Sequence, residues 1–210
     1  MKKQEIKKIF EILNSQNPNA KIELTHHNAF TLLIAVVLSA QATDKQVNKI
    51  TPTIFEEVQN PAQLLKKGEE WLFEKVKSIN YNRSKARNLI KASFQLEENF
   101  GGVVPSNLED LQTLAGVGRK SANVILNSIF KKPTMPVDTH IFRISNRIFL
   151  LNAKNVLETE QKLLAIVPQE FGLVAHHLLV LHGRYVCKAL KPDCKNCKIK
   201  NLCKFTEKKL

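Results

Sequence analysis

Two groups of side chains in this chain have the types and spacing that chemistry needs. The first is a set of four cysteines, Cys187, Cys194, Cys197 and Cys203, confined to the last 24 of 210 residues. Cysteines stapling a fold would be spread along it. The tight C-x6-C-x2-C-x5-C run instead suits four thiolates enclosing a metal centre. Only one C-x2-C pair is present, whereas zinc ribbons and fingers usually bring two short pairs, so the spacing favours an iron–sulfur cube over zinc and leaves both open. The second group is Lys120, in LQTLAGVGRKSAN, with Asp138, in MPVDTHIFRISNR. A lysine in the first turn of a helix sits at the positive end of the helix dipole. That placement opposes its charge and suits a nucleophilic amine, although contact with a phosphate is the simpler use. Asp138 is placed to cap a helix starting at Thr139, which alone accounts for it, and its placement is compatible with one pocket shared with Lys120.

These groups need elements to hold them. Around Gly116-Val117-Gly118 the pattern reads as helix, tight turn, helix: the glycines leave backbone N–H groups uncovered, and Val117 is the apolar pin that packs the turn inward. With Arg119 and the N-terminus of the next helix, this makes a phosphate-gripping helix–hairpin–helix; an ordinary interhelical turn is the bland alternative. Elsewhere the apolar positions recur at three and four, giving an all-α fold. Ile6, Ile9, Phe10 and Leu13 share one face, and Ala29 to Leu38 reads as a buried helix too short to span a membrane. Asn60-Pro61 starts a helix that Gly68 stops, and helical patterns run through 69–79 and 84–98. Ser106 with Glu109 fits a capping box, with Leu108 and Leu111 on the buried face. Further stripes are Ala122, Ile125, Leu126, Ile129; then Ile141, Ile144, Ile148, Phe149; then Leu157, Leu163, Leu164, Val167. Val174, Leu178 and Leu181 lead into the cysteine loop.

Composition narrows the partner. The formal net charge is +13, and 43% hydrophobic residues suffice for a core, so the chain is folded and suited to a polyanion. Residues 187–210 alone hold eight lysines against two acids. No apolar stretch follows the basic start MKKQEIKKIF, so a secretory signal is not expected, and the setting is read as cytoplasmic.

Taken together, LLIAVVLSAQATDKQVNK at 32–49, LAGVGRKSANVILN at 114–127, VDTHIFRISNR at 137–147, HHLLVLHGRYVCKALKPDC at 176–194 and the cysteine spacing resemble the endonuclease III family of base-excision repair DNA glycosylase/AP lyases. The resemblance runs from about residue 5 to 205. It implies two lobes with the active cleft between them: a six-helix bundle at about 22–132 holding the hairpin (about 108–129), and an iron–sulfur lobe of 1–21 plus 133–210 with its cluster loop at 187–203. It casts Lys120 as nucleophile, Asp138 as the essential carboxylate, and the four cysteines as holders of a [4Fe-4S] cluster that is structural and DNA-positioning. Gly116, Val117, Gly118 and Arg119 would grip backbone, and Gln41 would help fill the gap left by an extruded base. The second gap-filling loop departs from the family pattern. Registered on Lys85-Ala86, Tyr81 takes the position of the usual apolar wedge, and Asn80 replaces a glycine. Ala115 replaces a usual proline and Ser121 a usual threonine.

Val37 stands where an adenine-specific relative would be expected to carry glutamate, Lys120 argues for a bifunctional enzyme, and the 8-oxoguanine branch generally lacks such a cysteine loop. The resemblance therefore implies a monomeric enzyme that takes oxidised or ring-saturated pyrimidines, and abasic sites, from double-stranded DNA. The competing readings are a non-enzymatic DNA-binding module, a zinc-containing scaffold, and a related glycosylase of different base specificity.

Overall fold

Helix starts are written plainly into this chain. Among residues 1–208, which the computed structural model describes, there are ten α-helices and no strand: α1 Lys3–Gln16, α2 Ala29–Ser39, α3 Asp44–Phe55, α4 Pro61–Lys75, α5 Asn82–Phe100, α6 Leu108–Thr113, α7 Arg119–Ser128, α8 Thr139–Ile148, α9 Val156–Ile166 and α10 Ala175–Leu181. Six of them open on a side-chain cap: Asn28, Thr43, Asn60, Asn107, Asp138 and Asn155 each accept a hydrogen bond from a first-turn N–H. Such a cap satisfies a donor that the helix itself leaves unpaired. No described helix is long and apolar enough to cross a membrane.

The chain divides into two compact units, Glu23–Lys131 in one and Met1–Ile22 with the chain from Lys132 onward in the other. The first contains α2 to α7. Its centre is α2, buried on every side from Phe30 to Leu38, as a helix apolar all round must be. Around it pack α3, α5 and α7, while α4 lies along α5. Gly68 interrupts α4 with φ +82, the break its sequence position suggests. Asp44–Phe55 is a helix that the apolar periodicity did not delimit, with Pro52 inside it.

In the second unit α1 presents Ile6, Ile9, Phe10 and Leu13 to the core, as their spacing predicts. Phe10 is stacked against Phe149 (centroids 6.1 Å) and Phe171 (5.7 Å). Ile141, Ile144, Ile148, Leu178 and Leu179 complete that cluster.

Two local expectations are corrected. The cap of α6 is Asn107, not Ser106: Asn107 Oδ1 accepts from the Asp110 N–H at 2.8 Å, and its Nδ2 donates to the Asp110 carboxylate at 2.7 Å. That second bond makes the later register the better satisfied one. In α9, Leu163 is buried as expected, but Leu157 and Leu164 are 45% and 47% exposed, and Thr159 and Glu160 share the buried face. The Thr159 hydroxyl bonds to the Asn155 carbonyl at 2.8 Å, which removes the main penalty of burying it.

Candidate functional site

The hairpin belongs to the first unit. Leu111 and Leu114 are buried at its entry, the Val117 N–H closes the turn onto the Leu114 carbonyl at 3.1 Å, and Val117 is buried at 5% exposure, the inward pin its position suggests. The two glycines serve different needs. Gly116 has φ +81, and a Cβ there would lie 3.1 Å from Asn88 Cβ and 3.4 Å from Val37 Cγ1, so the turn sits directly on α5 and α2. Gly118, at φ −87, is the N-cap of α7, and a Cβ there would have nothing within 4 Å. Its surface is open to whatever approaches the helix N-terminus. The first N–H groups of a helix lack intrahelical acceptors and attract an anion. Arg119 and Lys120 are exposed in that first turn, while Ala122, Ile125 and Leu126 bury the opposite face of α7.

A brace on this turn was not legible in the motifs. The Ala115 N–H donates to Gln95 Oε1 at 2.8 Å, and Gln95 Nε2 donates to the Thr113 carbonyl at 2.9 Å. A proline at 115 has no N–H to give. The alanine that costs the turn some intrinsic stiffness is thus what allows α5 to hold it.

The same unit carries both loops singled out for gap filling. Gln41 follows α2 and Tyr81 precedes α5, and both are exposed with left-handed backbone, φ +54 and +59. For a residue with a side chain this conformation costs about 1–2 kcal/mol, so neighbours must hold it. The Asn80 side-chain amide donates to the Gln41 carbonyl at 3.1 Å, and Lys85 Nζ donates to the carbonyls of Leu38 (2.8 Å) and Ala40 (2.6 Å). Lys85 is buried, and burial lowers its pKa from the ordinary lysine value. In the motifs Lys85 served only as a register mark.

The second unit carries Asp138 and the cysteines. Asp138 is half-buried and caps α8, its Oδ1 accepting from the Ile141 N–H at 2.9 Å. Opposite the apolar stripe of α8, Arg143 and Arg147 hold the cysteine loop by its backbone. Arg143 donates to the carbonyls of Gly183 (2.8 Å) and Cys187 (3.0 Å), and Arg147 to those of Lys188 (2.8 Å) and Ala189 (2.9 Å). Arg147 also reaches Cys187 Sγ at 3.8 Å and covers the Phe205 ring. The turn His182–Val186 is a π-helix, and a Cβ on Gly183 would come within 3.1 Å of His140 Cβ, so the chain lies close on α8 before entering the loop. All four cysteines line one cavity that opens to solvent, with Ile148, His182, Val186, Pro192, Ile199 and Phe205 among its other walls. Burial, reinforced by the neighbouring thiols, pushes Cys197 and Cys203 up from the usual thiol range. Burial also lowers His182 to about 4, leaving a neutral imidazole 4.0 Å from Cys197 Sγ. The spacing i, i+4 of the two arginines was the one signal in the sequence that could have found them.

A helix pair joined by an open glycine turn, followed by a capped aspartate and a cysteine loop, defines a class. Residues 34–169 match the family model of the HhH-GPD superfamily base excision DNA repair proteins. Endonuclease III of Haemophilus influenzae is 50% identical over 196 residues, covering 93% of each chain, and that of Rickettsia conorii is 48% identical over 205 residues, covering 98% of each. A solved structure described as a trapped endonuclease III–DNA covalent intermediate superimposes with a TM-score of 0.90 at 40% identity, covering 97% of this chain and 96% of that one. A thermostable thymine-DNA glycosylase, at 22% identity and a TM-score of 0.87, shares the fold. The chain belongs to the endonuclease III family.

Proposed function

We propose that this chain is a bifunctional DNA glycosylase and AP lyase of base-excision repair, acting on oxidised or ring-saturated pyrimidines and on abasic sites in duplex DNA. The observation that carries this reading is Lys120: an exposed amine in the first turn of α7, directly after the open Gly118 N-cap. The turn between α6 and α7 grips a backbone phosphate through its N–H groups and Arg119, reading no base. The damaged nucleotide leaves the stack, and Gln41 and Tyr81 occupy the gap; a base stacked on an aromatic ring is held by about 1–3 kcal/mol. The neutral Lys120 amine adds to C1′ as the glycosidic bond breaks. The Asp138 carboxylate supports the positive charge developing on the sugar and assists the proton transfers. Loss of the amine proton and opening of the sugar give a Schiff base. That Schiff base makes the C2′ proton removable, and β-elimination expels the 3′ phosphate. Water then hydrolyses the conjugated imine, freeing the Lys120 amine and leaving an unsaturated aldehyde on one end and a 5′-phosphate on the other.

The cysteine cavity fits a metal cluster by its donor set: four sulfurs on one wall system, backed by apolar side chains and held by two arginines. Cys187, Cys194, Cys197 and Cys203 would hold a [4Fe-4S] cluster, which supplies thiolate–iron bonds that fix the loop and its lysines for DNA. Thiols pushed up by burial are deprotonated by such coordination. The work is read as cytoplasmic, by a monomer.

Incubation with a duplex bearing one thymine glycol tests the reading. The expected result is a nicked strand with the two termini above, and a substitution of Lys120 by alanine that abolishes it. Base release without strand cleavage by the wild-type protein would contradict the bifunctional assignment.

A further inference from the structure

Gln41 and Tyr81 lie 40 positions apart, at the end of one helix and the start of another, yet a side chain of one loop is bonded to the backbone of the other. Asn80, the residue before Tyr81, donates its side-chain amide to the carbonyl of Gln41 (3.1 Å). From below, the buried ammonium of Lys85 occupies the carbonyls of Leu38 and Ala40, which α2 leaves unpaired at its C-terminal end. Asn82 braces the second loop against itself, donating to the Lys77 carbonyl at 2.9 Å. Both tips have the left-handed backbone, and both side chains stand in solvent, Tyr81 66% exposed. Two exposed residues in an unfavourable conformation, on loops braced by these four hydrogen bonds, are being aimed.

We propose that Asn80 and Lys85 are positioning residues that tie the Gln41 and Tyr81 tips into a single two-pronged wedge, so that both enter the gap of a damaged duplex as one unit. The proposal rests on the reading that Gln41 and Tyr81 fill that gap. The bond is made by the Asn80 side chain, so it depends on the residue that this chain carries there. The preformed geometry lowers the ordering required on binding, and therefore favours damaged over intact duplex.

The test is a double-mutant cycle of Asn80→Ala and Gln41→Ala. Binding is measured to a duplex carrying a tetrahydrofuran abasic analogue and to the same duplex undamaged, and 2-aminopurine opposite the analogue reports insertion. Loss of one hydrogen bond predicts that Asn80→Ala weakens abasic-duplex binding by about threefold to tenfold. Undamaged-duplex binding should stay at the wild-type value, the melting temperature should fall by no more than about 6 °C, and the 2-aminopurine response should fall. In the Gln41→Ala background the same substitution should cost nothing further. Lys85→Met should lower the 2-aminopurine response in the same way, with wild-type binding to undamaged duplex. Additive losses in the cycle, or an Asn80→Ala protein that binds the abasic duplex as wild type while Gln41→Ala does not, would overturn the tie alone. If Gln41→Ala and Tyr81→Ala both bind and report like wild type, the gap-filling reading falls, and the tie with it.

Discussion

The two glycines of the hairpin turn should fail in different ways when given a methyl group. At Gly116, alanine must adopt φ +81, and its Cβ would meet Asn88 Cβ at 3.1 Å, closer than ordinary van der Waals contact. The left-handed backbone costs about 1–2 kcal/mol and the displacement of a packed neighbour about 1 kcal/mol more, so Gly116→Ala should lose about 2–3 kcal/mol. For a chain of this size that lowers the melting temperature by about 5–10 °C. At Gly118 the φ is −87 and the space is empty, so alanine costs only the cap preference, about 0.5 kcal/mol. Its methyl group instead stands where a phosphate approaches, and should weaken duplex binding about tenfold through lost N–H contacts. No cation is removed, so the slope of log K against log salt should not change, whereas Arg119→Ala should reduce its magnitude by about 1. Thermal melting and fluorescence anisotropy over a salt series measure all of this. Equal destabilisation by both substitutions, or wild-type DNA affinity for Gly118→Ala, would refute the division of labour.

Asp138 should separate cap from charge. Asn keeps an oxygen for the Ile141 N–H, so Asp138→Asn should melt near wild type yet lose single-turnover glycosylase activity by at least about a hundredfold, while Asp138→Ala should also lose about 1 kcal/mol of stability. Arg147→Ala removes two backbone hydrogen bonds to the cysteine loop, and purified protein should carry a lower iron-to-protein ratio, released faster to a chelator, than wild type. Phe10, stacked between Phe149 and Phe171, is the keystone of its unit; Phe10→Ala should cost about 3–5 kcal/mol by chemical denaturation.

What could be read from the sequence was whatever is local. The stripe Ile6, Ile9, Phe10, Leu13 and the unbroken run from Ala29 to Leu38 settle their helices because periodicity alone decides which face is buried. Asp138 as a cap follows from its position before Thr-His, and the structure makes that bond. The hairpin likewise follows from two glycines flanking an apolar residue. Where two registers were both competent, a bond between side chains chose: Asn107 prevailed over Ser106 by reaching Asp110. In α9 Leu157 and Leu164 misled while Leu163 did not, because the face turned inward is set by neighbours far along the chain, and a threonine bonded to its own helix is cheap to bury. The supports of the candidate site were the least visible. Gln95 holding Ala115, Lys85 holding the end of α2, and Arg143 and Arg147 holding the cysteine loop all join residues 20 to 47 positions apart. Those links are made by the fold, and only the i, i+4 spacing of the two arginines hints at any of them.

The central claim is that Lys120 is the nucleophile. Borohydride added during reaction with an abasic-site duplex should reduce the Schiff base and leave a covalent protein–DNA adduct, with peptide mapping placing the modification on Lys120. Lys120→Ala should form none while still binding the duplex. Trapping by Lys120→Ala at wild-type yield, or an adduct mapped to another amine, would contradict it.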